Sequence, residues 1–204
     1  MFRNAAQQRK IVFQLNFTID PDSVDRWNTD LVVGPPNAIG SCREDLNGRI
    51  LRGDLRELWI GIDAKTIMTE HGKARRNRQR DLNSFQNILH HKNPNTIVGG
   101  LVVVNMARRF QTPLARQEPG PTEHKNIERL VEEIVAMLNG LARAEAKPGK
   151  QGLEALGVIV VEHSNIAGDT TRLVEQPPAP GRGHALNYET FLRELCEAFT
   201  IRFG

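Results

Sequence analysis

The sequence has only two cysteines, Cys42 and Cys196, among 204 residues. They form neither a metal-ligand spacing nor a disulfide framework, which points to a reducing, cytoplasmic setting. No run of about 18 apolar residues occurs, so no transmembrane helix is expected. The charged first ten residues lack a following apolar stretch, because Gln14, Asn16 and Thr18 interrupt it, and a signal peptide is not expected. No histidine spacing fits zinc. A glycine-rich phosphate loop is missing, since Gly99-Gly100 lies inside an apolar run, and so is a serine elbow. No internal repeat or low-complexity tract is present. What remains is 39% hydrophobic and 25% charged, the balance of an ordinary soluble protein, at a length that suits a single domain over 1–204.

The net charge of +3 says little about partners, but the distribution says more. Lys73, Arg75, Arg76, Arg78 and Arg80 fall within eight residues that contain no acid, whereas acids gather at Glu128, Glu132 and Glu133. A run of charges is usually a solvated helix face. Here like charges at i, i+4 repel one another, and an anionic partner would relieve them, so contact with a nucleic-acid backbone is the favoured reading.

Ile11, Phe13, Leu15, Phe17 and Ile19 alternate with other residues, predicting a half-buried strand. Asp20-Pro21-Asp22-Ser23 offers an N-cap and a first-turn proline, predicting a short helix to about Asp30 that Gly34-Pro35-Pro36 breaks. Residues 48–54 and 57–65 read as a hairpin turning near Gly53-Asp54. From Gly72 to His91 the period becomes helical, with Leu82, Phe85 and Leu89 as the apolar stripe and Lys73, Arg76 and Arg80 on another side. Thr96 to Val104 and Leu156 to Val161 are buried strands. Thr122 caps a helix whose core face includes Ile127, Val131, Ile134 and Leu138, and Asn187 caps a last helix. The loops 107–121 and 164–186 carry arginines among prolines and glycines, and the second is long enough to suggest function. These elements predict an α/β fold: a central mixed sheet flanked by helices on both faces.

Leu58-Trp59-Ile60-Gly61-Ile62 reads as an interior strand that ends in Asp63-Ala64-Lys65. Residues i and i+2 share a strand face, so Asp63 and Lys65 project together, and Asp54 precedes them across the expected hairpin. Of two other acid-x-Lys triplets, the one at Glu123 lies at an expected helix start, where i and i+2 do not face each other, and the one at Glu145 lacks a strand context. Two carboxylates and a lysine at a sheet end suit a divalent metal and an activated water; the competing reading is a solvated or paired strand end. His71 follows the lysine and would assist only incidentally, His90 and His91 close the basic helix, and Glu162-His163 stands at another strand end.

These residues resemble the motif of the PD-(D/E)xK nuclease superfamily, which includes many type II restriction endonucleases. Asp54, Asp63 and Lys65, followed by a helix and a strand up to residue 104, are similar to the β-β-α-β part of its core. The resemblance implies a restriction-endonuclease-like core in which Asp54 and Asp63 ligate Mg²⁺ and Lys65 orients or activates the attacking water. Gly53 stands where the motif often has proline, and Glu57 or Asp45 are alternatives for the first acid. The expectation is a Mg²⁺-dependent endonuclease acting on double-stranded DNA, as a C2 homodimer if it cuts both strands of a palindrome. The basic segment would track phosphates. The alternative is a non-catalytic DNA-binding domain of the same fold.

Overall fold

The computed structural model describes residues 2–20, 26–37, 50–111, 121–144 and 151–204. The chain opens with a short helix, α1 (Phe2–Gln7), which sequence periodicity does not signal. It continues through β1 (Val12–Ile19), β2 (Trp27–Gly34), β3 (Leu51–Arg52), β4 (Ile60–Ile67), α2 (His71–Lys92) and β5 (Ile97–Asn105). It ends with β6 (Arg109–Phe110), β7 (Thr122–Glu123), α3 (Ile127–Asn139), β8 (Ala155–Glu162), β9 (Arg172–Leu173) and α4 (Tyr188–Phe203). Seven strands form one mixed sheet in the order β3-β1-β2-β4-β5-β8-β9, and β6-β7 make a separate ribbon. β1, β2 and β4 run antiparallel in turn, while β4, β5 and β8 are parallel. This is the expected α/β architecture, with α2 and α3 covering one face and α1 and α4 the other.

Two local expectations are corrected. Residues 27–30 are strand, not helix, while 21–25 lie outside the described residues. The Asp-Pro-Asp-Ser signal is a local one. Burying Val32 and Val33 between β1 and β4 outweighs it. Residues 48–54 and 57–65 do not form a hairpin either. β3 pairs in parallel with β1, and the place beside β4 is taken by β2. A third difference is smaller: Thr122 sits in β7 rather than capping α3, which begins after Asn126 in the left-handed conformation (φ 54).

The buried faces follow the apolar patterns. Leu82, Phe85 and Leu89 of α2 and Ile127, Val131, Ile134 and Leu138 of α3 share one core with Val98, Val102 and Val158 of the sheet. Across the sheet, Phe191, Leu195 and Phe199 of α4 pack on Ile60, Ile97 and Ala155. α2 lies close against β4 and β5 because two positions beneath it have no side chain: a Cβ at Gly61 would stand 2.7 Å from Leu89, and one at Gly100 2.8 Å from Leu82. As expected, Asn187 caps α4, its side chain accepting from Glu189 N at 2.9 Å.

β1 departs from its simple alternation. Ile11 and Phe13 pack in the α4-side core, whereas Phe17 and Ile19 pack on the α2 side, although all four have the same parity. Between them Asn16 adopts a left-handed conformation (φ 53). Leu15 pairs with Leu31 and Phe17 with Thr29, so the missing rung of the ladder is Asn16 opposite Asp30. The hairpin of β1 and β2 turns over at that rung, and Trp27 near its tip reaches Phe85 of α2, with ring centroids 6.0 Å apart. β2 leaves β4 at the same level, since their pairing ends at Leu31 opposite Ile62.

Candidate active site

The split between β2 and β4 brings the candidate site residues together. Beyond Leu31–Ile62 the next residues along the two strands are Asp30 and Asp63. The Asp30 carboxylate takes over where the backbone ladder stops, Oδ2 accepting from Ala64 N at 2.6 Å. Lys65, two residues past Asp63 and on the same face, donates from Nζ to Asp63 Oδ1 at 2.7 Å. The Lys65 ammonium also lies 5.7 Å from the centre of the Trp27 ring. Asp30, Asp63 and Lys65 therefore come together, with Trp27 as one wall.

Burial sets the electrostatics. The Asp63 side chain has no exposed surface, while Lys65 keeps 18% of its own. Burial is the largest influence on the Asp63 carboxyl and raises its pKa from 3.8 to about 6; Lys65 opposes the rise and the neighbouring Asp30 adds to it. Asp63 Oδ2 is buried with no hydrogen-bond partner, and so are Thr29 Oγ1 and Trp27 Nε1 on the adjoining strand. Buried polar atoms are nearly always partnered. Three of the seven such atoms among the described residues lie on the two strands that carry the trio.

The donor set suits a hard cation. Mg²⁺ commonly uses one or two carboxylates and completes its shell with water and substrate phosphates, and Asp30 with the bare Oδ2 of Asp63 supplies that pair. Among the described residues no group of three or more His, Cys, Asp and Glu is arranged to hold a metal, so a closed all-protein cage is not what this site offers.

The other expected site residues separate into groups. Asp54 is exposed and distant from the trio. Its side chain accepts from Gln14 at 3.4 Å and its carbonyl from Asn37 N at 2.8 Å. Asp54 follows β3, and the strand order puts β1 and β2 between β3 and the strand of Asp63, roughly 14 Å at strand spacing. Asp54 was placed beside Asp63 by a hairpin that does not form. Glu57 is also remote, receiving Trp59 Nε1 and Asn93 Nδ2 near the start of β4, and Asp45 lies outside the described residues. Asp30 was missed because residues 20–30 read as helix. The signal that identifies it is the run Leu31-Val32-Val33 before Gly34-Pro35, a strand with an acid at its start, mirroring the acid at the end of Ile60-Gly61-Ile62.

The basic segment occupies the first turns of α2, which starts four residues after β4 ends. Lys73, Arg76 and Arg80 are exposed and line a concavity of about 430 Å³ with Gly72 and Asn77. No ion pair holds Arg76 or Arg80 to a described residue, and Lys73 only approaches Glu70, at 3.9 Å. Arg75 and Arg78 do otherwise. Arg75 binds Glu133 of α3 at 2.5 Å and Arg78 binds Asp81 at 2.8 Å, both about a quarter exposed. Those two are structural, and the stripe of three is the more exposed cationic face, with only Lys73 near an acid.

His71, at the start of α2, is buried and donates from Nε2 to Asn105 O at 2.8 Å. Burial, with His124 5.0 Å away between ring centroids, keeps its pKa below the ordinary histidine value despite the bond to Asn105. It anchors α2 to the end of β5. His90 belongs to a buried cluster around Glu154, and His163 bonds Thr171 at 2.9 Å. No described helix is long and apolar enough to cross a membrane. Comparison with models of known families, with curated proteins and with solved structures finds no match.

Proposed function

We propose that the protein is a Mg²⁺-dependent DNA endonuclease with a restriction-endonuclease-like core, in which Asp30 rather than Asp54 is the first acid. The observation that carries this reading is the convergence of Asp30, Asp63 and Lys65 at the point where β2 parts from β4, with Asp63 Oδ2 left unpartnered. The strand order supports it: an antiparallel run β1-β2-β4, then α2, then β5 parallel to β4, with the acids on the second and third strands of that run.

Asp30 and Asp63 would hold the ion, and the chemistry an ion supplies when bound there is a polarised phosphoryl oxygen and a more acidic water. The chain's own residues do the rest. Lys65 carries a fixed positive charge beside Asp63, suited to stabilising negative charge that develops on a phosphate or on an attacking hydroxide. The Trp27 face and the Asp63 oxygen hold its ammonium in place. The exposed Lys73, Arg76 and Arg80 face would take the backbone of a bound duplex, neutralising phosphates without reading bases. A second copy related by a two-fold axis would bring one trio to each strand, and the setting that best fits the cysteine usage is the cytoplasm.

One observation favours a second reading. Asp63 is wholly buried and bonded to Lys65, as a purely structural ion pair would be. Cleavage and metal binding separate the two. The wild type should nick supercoiled plasmid with Mg²⁺ or Mn²⁺, Lys65→Ala and Asp30→Asn should not, and Asp54→Asn should cut like the wild type. Equal activity in Lys65→Ala would leave Asp63–Lys65 as a structural pair.

A further inference from the structure

A concavity of about 610 Å³ opens at the C-terminal ends of the parallel strands β5 and β8, the side of an open α/β sheet where ligands bind. Its walls include Arg108 and Arg109 after β5, Glu128 of α3, and Glu162, Ser164 and Arg172 around β8 and β9. The loop between β8 and β9 is held in shape. Ser164 Oγ donates to Asp169 at 2.6 Å, Asn165 Nδ2 to Gln111 O at 2.6 Å, and Asn165 is in the left-handed conformation (φ 56).

Charge composition separates this cavity from the α2 face. Every cation here has an acid beside it: Arg108 meets Glu128 at 3.1 Å, Arg172 meets Glu162 at 2.6 Å, and Arg109 meets Glu123 at 3.0 Å. A phosphate would be repelled by those carboxylates, whereas a base pair presents donors and acceptors together. The paired donors of an arginine match O6 and N7 of guanine, and a carboxylate accepts from the amino group of cytosine. The arginines are well exposed, 81% for Arg108 and 74% for Arg172. Exposed pairs contribute little stability, so each arginine can leave its carboxylate readily.

We infer that this cavity reads G·C pairs through the major groove, with Arg108 and Arg172 donating to guanine and Glu128 and Glu162 accepting from cytosine. The inference rests on the nuclease reading above. Its position sets an offset. β8 is two strand spacings from β4, roughly 10 Å, and Glu162 is four residues beyond Val158, the residue level with Lys65, roughly 13 Å further along. At about 3.4 Å per base step, the bases read lie roughly three to five steps from the cut phosphate.

The test is cleavage of a randomised duplex library, with cut products sequenced. The wild type should show G·C preference roughly three to five positions from the cut, and Arg108→Ala and Arg172→Ala should each weaken preference at one such position by about tenfold or more. In the selected duplex, replacing the critical guanine by 7-deazaguanine should slow the wild type and leave the matching arginine variant indifferent. Melting temperatures of both variants should match the wild type, as expected for exposed side chains. Cleavage by both variants with undiminished wild-type base preference overturns the inference while leaving the nuclease reading standing. A wild-type protein that cleaves no duplex with Mg²⁺ or Mn²⁺ overturns the nuclease reading and this inference with it.

Discussion

Two clusters of buried charge lie on the same sheet, Glu154 beside Val98 and Asp63 level with Gly100, and they are built differently. At the start of β8, Glu154 has both oxygens occupied: Arg202 Nη2 and His90 Nε2 approach Oε1 at 2.6 and 3.2 Å, and Val98 N donates to Oε2 at 2.8 Å. Arg202 in turn donates to Thr96 O at 2.8 Å. The cluster ties the C-terminal turn of α4 to the sheet and to the end of α2. Where β2 and β4 separate, Asp63 has one oxygen on Lys65 and the other bare, with a second carboxylate alongside. Both oxygens of Glu154 have partners, although His90 Nδ1 beside it has none. A carboxylate buried with an oxygen open and an acid for a neighbour is held at a cost to stability.

The sharpest way to break this contrast is catalytic. Lys65→Ala should lower Mg²⁺-dependent plasmid cleavage per folded molecule by roughly two orders of magnitude or more, with far-ultraviolet circular dichroism near the wild type. Glu154→Ala is the matching change at the other cluster and should act through stability. It removes the Glu154 carboxylate that both Arg202 and His90 approach, a loss of about 3 kcal/mol, measured by urea unfolding, with cleavage per folded molecule unchanged. Undiminished cleavage in Lys65→Ala, together with cleavage per folded molecule lost in Glu154→Ala, would reverse the assignment of site and scaffold.

The next prediction uses the raised Asp63 pKa, and its sign is opposite to that of a stabilising ion pair. Asp63 holds its proton more tightly folded, at about 6, than at the ordinary 3.8. The protonated form therefore suits the fold at low pH, and that advantage is lost as pH rises through about 6. Near pH 7.5 the ionised carboxylate costs up to ~3 kcal/mol. Asp63→Asn should then melt higher than the wild type at pH 7.5 in metal-free buffer and converge with it below about pH 4. Adding Mg²⁺ should raise the wild-type melting temperature and leave those of Asp63→Asn and Asp30→Asn unmoved, while Asp54→Asn should respond like the wild type. A lower melting temperature for Asp63→Asn at pH 7.5 would show the carboxylate to be a stabilising partner, like Glu154.

The smallest expected effects divide the basic helix. Lys73→Ala, Arg76→Ala and Arg80→Ala should each reduce the slope of log K against log salt for duplex binding by about one unit, alike on any sequence. Arg75→Ala should leave the slope alone and lower the melting temperature slightly, through loss of the bridge from α2 to Glu133 on α3. Equal slope changes in all four would merge the two faces into one.

The helices and interior strands were legible because their signals are local and periodic. The stripe Leu82, Phe85, Leu89, the cap at Asn187 and the apolar runs of β5 and β8 each specify an element without reference to the rest of the chain. The division of the basic segment was legible for the same reason, since 3.6-residue periodicity separates Lys73, Arg76 and Arg80 from Arg75 and Arg78. The fold class followed from the alternation of those elements. The acid that comes to lie beside Asp63 did not, because Asp54 and Asp30 differ only in which strand ends up beside β4. That is a contest between segments distant in sequence, and an N-cap signal near Asp20 weighed against the winner.

The sequence by itself determined the α/β class, the pairing of Asp63 with Lys65 on one strand face, and the cationic stripe of α2, since each depends on the geometry of a single element. Only the tertiary structure decided that β2 rather than β3 lies against β4, that the left-handed Asn16 turns the hairpin over, and that the ladder ends at Leu31–Ile62. Those three outcomes bring Asp30 to Asp63 and leave an oxygen unpartnered. Strand partners are selected by the total surface the chain can bury at once, a quantity that no short stretch of sequence carries.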